Sequence, residues 1–151
     1  MSLLYRYNIV RSPRAALTLG GRWSRPRPLI IVSATGPAGT HAVESLLDTG
    51  ADETVFPDDV ALRIGLSLTD APQGMGAGAS LAGVPLRYGE VNLRITDGIE
   101  QREWCAWVGF TSVKIYRPML GFAGFLQFFT ATFHGDREQV ELTVNGLYPG
   151  I

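Results

Sequence analysis

An aspartate closes an apolar run in Leu46-Leu47-Asp48-Thr49-Gly50-Ala51-Asp52. The two leucines anchor a strand, Thr49 brings a hydroxyl, and Gly50 permits a backbone shape that residues with a Cβ resist. Such a loop can hold a carboxylate rigidly at the floor of a cleft. Peptide hydrolysis without a metal or a nucleophile needs a base for the attacking water and an acid for the substrate carbonyl. Two carboxylates sharing one proton supply both, because two close negative charges do not both persist. The pair titrates as a unit, so neither role belongs to one of them. Asp48-Thr49-Gly50 is the only Asp-Thr/Ser-Gly in the 151 residues. Taken alone, the tripeptide also fits an ordinary Asp-capped turn.

The elements around this loop read as short strands. Leu29 to Thr35 and Thr40 to Leu47 flank the turn signal Gly36-Pro37-Ala38-Gly39 and predict a hairpin ending at Asp48. Pro57-Asp58-Asp59 opens a brief helix that Gly65 stops. Thr69 to Gly83 holds four glycines and little bulk, which predicts a mobile loop or a hairpin tip. Val84 to Thr96 and Glu100 to Phe110 flank Asp97-Gly98, a tight-hairpin signal. Phe122 to Phe129 reads as a short helix, and Thr130 to Phe133 pairs with Gln139 to Val144 in a last hairpin. Leu3 to Val10 reads as a strand, and Arg11 to Pro28 as a long loop or arm.

Composition agrees with one β-rich domain. Hydrophobic residues make up 46%, enough for a single core, and 18 glycines with nine prolines predict many turns. Residues 1 to 43 hold six arginines and no acid, so the other seven basic and all fourteen acidic residues lie beyond them. The arginines are scattered among Pro and Gly, which favours a basic arm against an acidic body over a nucleic-acid partner. Cys105 is the single cysteine, excludes an internal disulfide, and in its apolar run is expected as a buried core thiol. His41 and His134 show no metal or triad spacing. No apolar run reaches membrane-spanning length and no signal-peptide core opens the chain, so a cytoplasmic location is the expectation.

Residues 46 to 55, Leu-Leu-Asp-Thr-Gly-Ala-Asp-Glu-Thr-Val, closely resemble the active-site segment of retropepsins, the retroviral-type aspartic peptidases. Phe56-Pro57 and the helix after it resemble bacterial members. Gly74-Met75-Gly76-Ala77-Gly78 lies where that family has its flap, and Pro118-Met119-Leu120-Gly121 where it has a hydrophobic-hydrophobic-Gly segment beside the catalytic loop. The resemblance implies an all-β fold, a small closed barrel of the acid-protease type with one or two short helices. It runs from about Pro28 to Val144, within an expected peptidase domain at 28–151 that follows a basic N-terminal arm, or strand plus loop, at 1–27. It implies a homodimeric endopeptidase acting on a peptide or protein substrate, with no cofactor or metal. Asp48 would be the catalytic carboxylate, Thr49 would bond the opposite loop across the dimer axis, and Gly50 would accept substrate backbone. Ala51 and Asp52 would help hold substrate, and Gly74, Met75, Gly76, Ala77 and Gly78 would cover it. One departure stands out. The viral enzymes follow this glycine with Arg, which supports the dimer, whereas Gly121 is followed by Phe122. The alternative function is a non-catalytic peptide-binding or dimerisation module with the same fold.

Overall fold

The arginine-rich first 27 residues, expected as a strand and a long loop, form three strands in the computed structural model, which describes residues 1–150. Strands β1 (Leu3–Arg6), β2 (Asn8–Ala16) and β3 (Arg22–Arg27) are separated at Tyr7 and by a single 3-10 turn at Leu17–Leu19. β2 and β3 make a two-stranded hairpin with an irregularity between Arg11 and Ala16. Pro13 and Pro26 sit within it, as proline can in strands that have a free edge. The arm touches the acidic body where Arg22 meets Glu138 at 3.3 Å.

The Leu29–Leu47 hairpin forms as the turn signal requires. β4 (Leu29–Gly36) and β5 (Gly39–Leu47) pair antiparallel from Leu29↔Leu46 to Gly36↔Gly39. β6 (Val55–Pro57) follows the Asp48 loop and runs into α1 (Asp58–Arg63), with Asp58 and Asp59 in its first turn. β7 (Gln73–Met75) lies beside the start of β8 (Pro85–Thr96), and β8 returns as β9 (Gln101–Thr111). Their loop is closed by Asp97, whose Oδ1 accepts the amides of Ile99 and Glu100 at 2.9 and 2.8 Å. β10 (Met119–Leu120) inserts between β5 and β6. The order β4-β5-β10-β6-β9-β8 closes on itself through β4 and β8, where Ser33 faces Arg94. The result is a six-stranded barrel, the closed all-β structure expected.

The barrel interior follows the period-two alternation of its strands. Ile30, Val32 and Ala34 of β4 meet Leu93 and Ile95 of β8 and Trp104, Ala106 and Val108 of β9, all buried. The same alternation turns Cys105 outward, so the expectation of a core thiol is wrong: Cys105 is exposed. β11 (Phe129–His134) and β12 (Gln139–Val144) form the last hairpin, and β1 adds to β12 to make a three-stranded sheet. Leu3, Phe129, Val140 and Leu142 of that sheet join the barrel core. Trp104 ties the two parts together, with edge contacts to Phe125, Phe129 and Tyr148 and an indole N–H donated to the Gly124 carbonyl at 3.0 Å.

The helix expected over 122–129 is reduced to a 3-10 turn at Leu126–Phe128. A helix would need the Ala123 carbonyl for Gln127, but Thr54 takes it through both its amide (3.0 Å) and its hydroxyl (2.9 Å). Gly124, at φ +88°, also leaves the right-handed helical region. Among the described residues, no helix is long and apolar enough to cross a membrane.

Candidate functional site

Asp48 sits where β5 leaves the barrel, half-buried, with Thr49 and Asp52 exposed beside it and Ala51 buried. The Asp48 Oδ1 accepts the Gly50 amide at 2.8 Å, which fixes the carboxylate against its own loop. The loop is braced from below by β10 and the residues after it. Met119 and Leu120 pair with Leu46 and Leu47 in parallel, and Met119 pairs with Val55 on the other side. The Asp48 amide donates to Leu120 O at 3.1 Å. The Phe122 amide donates to Ala51 O (3.0 Å) and the Ala123 amide to Asp52 O (2.9 Å). Both legs of the loop therefore hang on one segment, 119–123. Gly121 is buried at their crossing, and a Cβ there would run into the carbonyl of Glu53 and lie 2.6 Å from that of Ala51. Only a glycine lets the segment pass that close.

The glycine-rich stretch approaches the loop from above. β7 and β8 form the base of a hairpin, with Gly74 opposite Leu86 and Met75 opposite Pro85. Its tip bends back onto the Asp48 loop. The Asp52 amide donates to Ala77 O (3.3 Å) and the Ser80 amide to Gly50 O (3.2 Å), and Gly78 bridges Ala51 in antiparallel sense. Leu81 pins the tip by burying itself with Ala51, Val55, Leu86 and Met119. Tyr88 on β8 spans the hairpin and the loop. Its hydroxyl donates to both Glu53 carboxylate oxygens, at 3.0 and 2.9 Å, and its ring lies against Gly74. Burial, and then the bond to and charge of Glu53, push the Tyr88 hydroxyl up to about 12, so it keeps its proton and its donor role. Among the described residues, no ion pair involves Asp48, Asp52 or Glu53.

No protein-family model and no curated protein matches the sequence. Among solved structures the chain is similar to a retropepsin-like aspartic protease from Rickettsia conorii, with a TM-score of 0.51 and 14% identity over 94% of this chain and 92% of that one. The fold is retropepsin-like. A second similarity is to EIAV protease complexed with the inhibitor HBY-793, with a TM-score of 0.37 and 22% identity over 63% of this chain and 81% of that one.

Within the retropepsin-like fold, the residues singled out from sequence fall in three places. Asp48, Thr49, Gly50, Ala51 and Asp52 form one loop, and Ala77 and Gly78 lie on it. Gly76 is buried and packs on Leu81. Gly74 and Met75 stand apart: they line a cavity of about 890 Å³ on the α1 side, with Leu62, Leu66 and Arg87, and Met75 is exposed. Asp48 does not line that cavity. Sequence reasoning missed Leu81, Ser80 and the Glu53–Tyr88 pair. Leu81 did carry a signal, as the one bulky side chain between Ala77 and Gly83.

Proposed function

We propose that the chain is one half of a homodimeric aspartic endopeptidase, which hydrolyses peptide bonds with a water activated between two Asp48 carboxylates. The observation that carries this reading is the Asp48 carboxylate itself, following the buried Leu47 at the end of β5, oriented by the Gly50 amide and braced by 119–123. A rigidly aimed carboxylate on a loop is what general acid–base chemistry requires. One proton shared by the facing pair lets one carboxylate take a proton from water while its twin gives one to the peptide carbonyl. Attack of the water oxygen on the carbonyl carbon makes a tetrahedral diol, and proton transfer to the amide nitrogen releases the amine. The roles then exchange between the two chains.

In this reading Thr49, exposed at the rim, faces its counterpart across the two-fold axis. Gly50 and Asp52 hold substrate main chain, and the hairpin from Gln73 to Arg87 acts as the flap. Phe122 stands where the viral enzymes carry Arg. It is 61% exposed beside Ala51, and it offers the partner an apolar surface instead of a charge. The dimer then rests on apolar contact near the axis, and the site exists only while two chains are together.

Dilution tests this directly. Specific activity on a peptide library should fall as the protein is diluted through its dimer dissociation constant, in step with the loss of dimer by sedimentation. A monomer that cleaves at full rate would rule out the shared site.

A further inference from the structure

The tip of the hairpin lies on the edge of the Asp48 loop that the proposed substrate would use. Gly50 O and Asp52 N–H form a short strand edge, one acceptor and one donor flanking Ala51. Both are engaged by the chain itself, through Ser80 N–H and Ala77 O, with Gly78 opposite Ala51. An extended peptide held by added-strand pairing satisfies its main chain on the same kind of edge. Two strands cannot occupy one edge at once.

We propose that residues 77–80 act as a built-in competitor, docked on the Gly50–Asp52 edge of the free chain and displaced when an extended peptide binds. This rests on the peptidase reading and adds regulation of that same site. The tip is suited to such a role. Its docking segment, Ala77-Gly78-Ala79-Ser80, has no bulky side chain, and its two bonds to the loop are long for amide hydrogen bonds, at 3.3 and 3.2 Å. Leu81 supplies the hold, buried against Ala51 and Met119. The neck is independent of the loop: the Gly76 amide donates to Val84 O at 2.7 Å, so the tip can lift while the base stays paired. Gly78 fixes the docked shape. It has φ +86°, and a Cβ there would run into Gly50 O and come within 3.0 Å of the Asp52 Oδ1.

Gly78→Ala, made in the full chain, therefore releases the tip through a backbone clash and deletes no buried side chain. Amide hydrogen exchange at Asp52 and Ser80 reads docking with no reference to activity. Cleavage of a library peptide and binding of a statine-type inhibitor read access to the edge. The wild type should protect both amides. The variant should lose about tenfold in protection and gain about tenfold in kcat/KM through KM, as expected when a closed population no longer competes with binding. Leu81→Ala should act in the same direction and stands in if Gly78→Ala does not fold. Fast exchange at Asp52 and Ser80 in the wild type would overturn the proposal. So would equal cleavage by the wild type and a variant whose tip has been freed. A freed tip with no cleavage and no inhibitor binding by either protein would defeat the peptidase reading, and with it the substrate that the tip is proposed to exclude.

Discussion

Asp48→Asn is expected to abolish peptide cleavage while leaving the fold intact. The amide has nearly the shape of the carboxylate, and its oxygen can still accept the Gly50 N–H that now reaches Asp48 at 2.8 Å. No backbone bond of the loop changes, since Leu120 O, Ala51 O and Asp52 O are engaged through main chain alone. What disappears is the capacity to share a proton. In the proposed dimer both chains carry the change, so the site loses its base and its acid together. The loss in kcat should be at least about 10³-fold, within the range that positioned acid–base groups contribute. Thermal unfolding should move by no more than about 0.5 kcal/mol, as for a substitution that removes no packing. Peptide digests and melting curves on the same preparation check both halves. Undiminished cleavage would remove Asp48 from the mechanism.

Gly121→Ala should do the reverse and damage the fold first. Gly121 lies where 119–123 crosses under both legs of the Asp48 loop, and an added methyl meets main-chain carbonyls of Glu53 and Ala51. Backbone cannot swing away as the end of a long side chain can. Relief requires parting the loop from β10, which weakens the bonds of Asp48 N to Leu120 O and Phe122 N to Ala51 O. Overpacking of this kind costs about 3 kcal/mol at the upper end. For a chain of this size that lowers the melting temperature by roughly 6 to 12 °C. Activity should fall as well, since the carboxylate loses the brace that aims it. A melting temperature within about 1 °C of wild type would show that the crossing does not bear on the loop.

The parts of this molecule that sequence made legible are those governed by local chemistry. The Asp48 loop could be placed because Leu46-Leu47 marks a strand end and Gly50 a turn. The Asp97-Gly98 hairpin followed from turn residues, as did α1, with its acids at the start and Gly65 at φ +73° after its end. What escaped depends on contacts between distant segments. The β2–β3 hairpin was hidden by proline and arginine, because a two-stranded ribbon with open edges needs no apolar alternation. The 122–129 helix failed because Thr54, far away in sequence, claims the Ala123 carbonyl. Cys105 was misread because an apolar run hides which face each residue takes. Pairing of β9 with β8 decides that Trp104 points in and Cys105 out. The docking of Ala77 to Ser80 on Gly50 and Asp52 is made by main chain, so the residue types there do not name its partner, although Gly78 at φ +86° is required by it.

In the proposed dimer, two chains make one site from two Asp48 carboxylates. Calorimetric titration of the protein with a statine-type inhibitor, with the Asp48→Asn variant as control, decides whether that site exists. The expected result is one inhibitor bound per two chains, by the dimer only, and no binding to the variant. One inhibitor per chain, bound by a monomer, would contradict it.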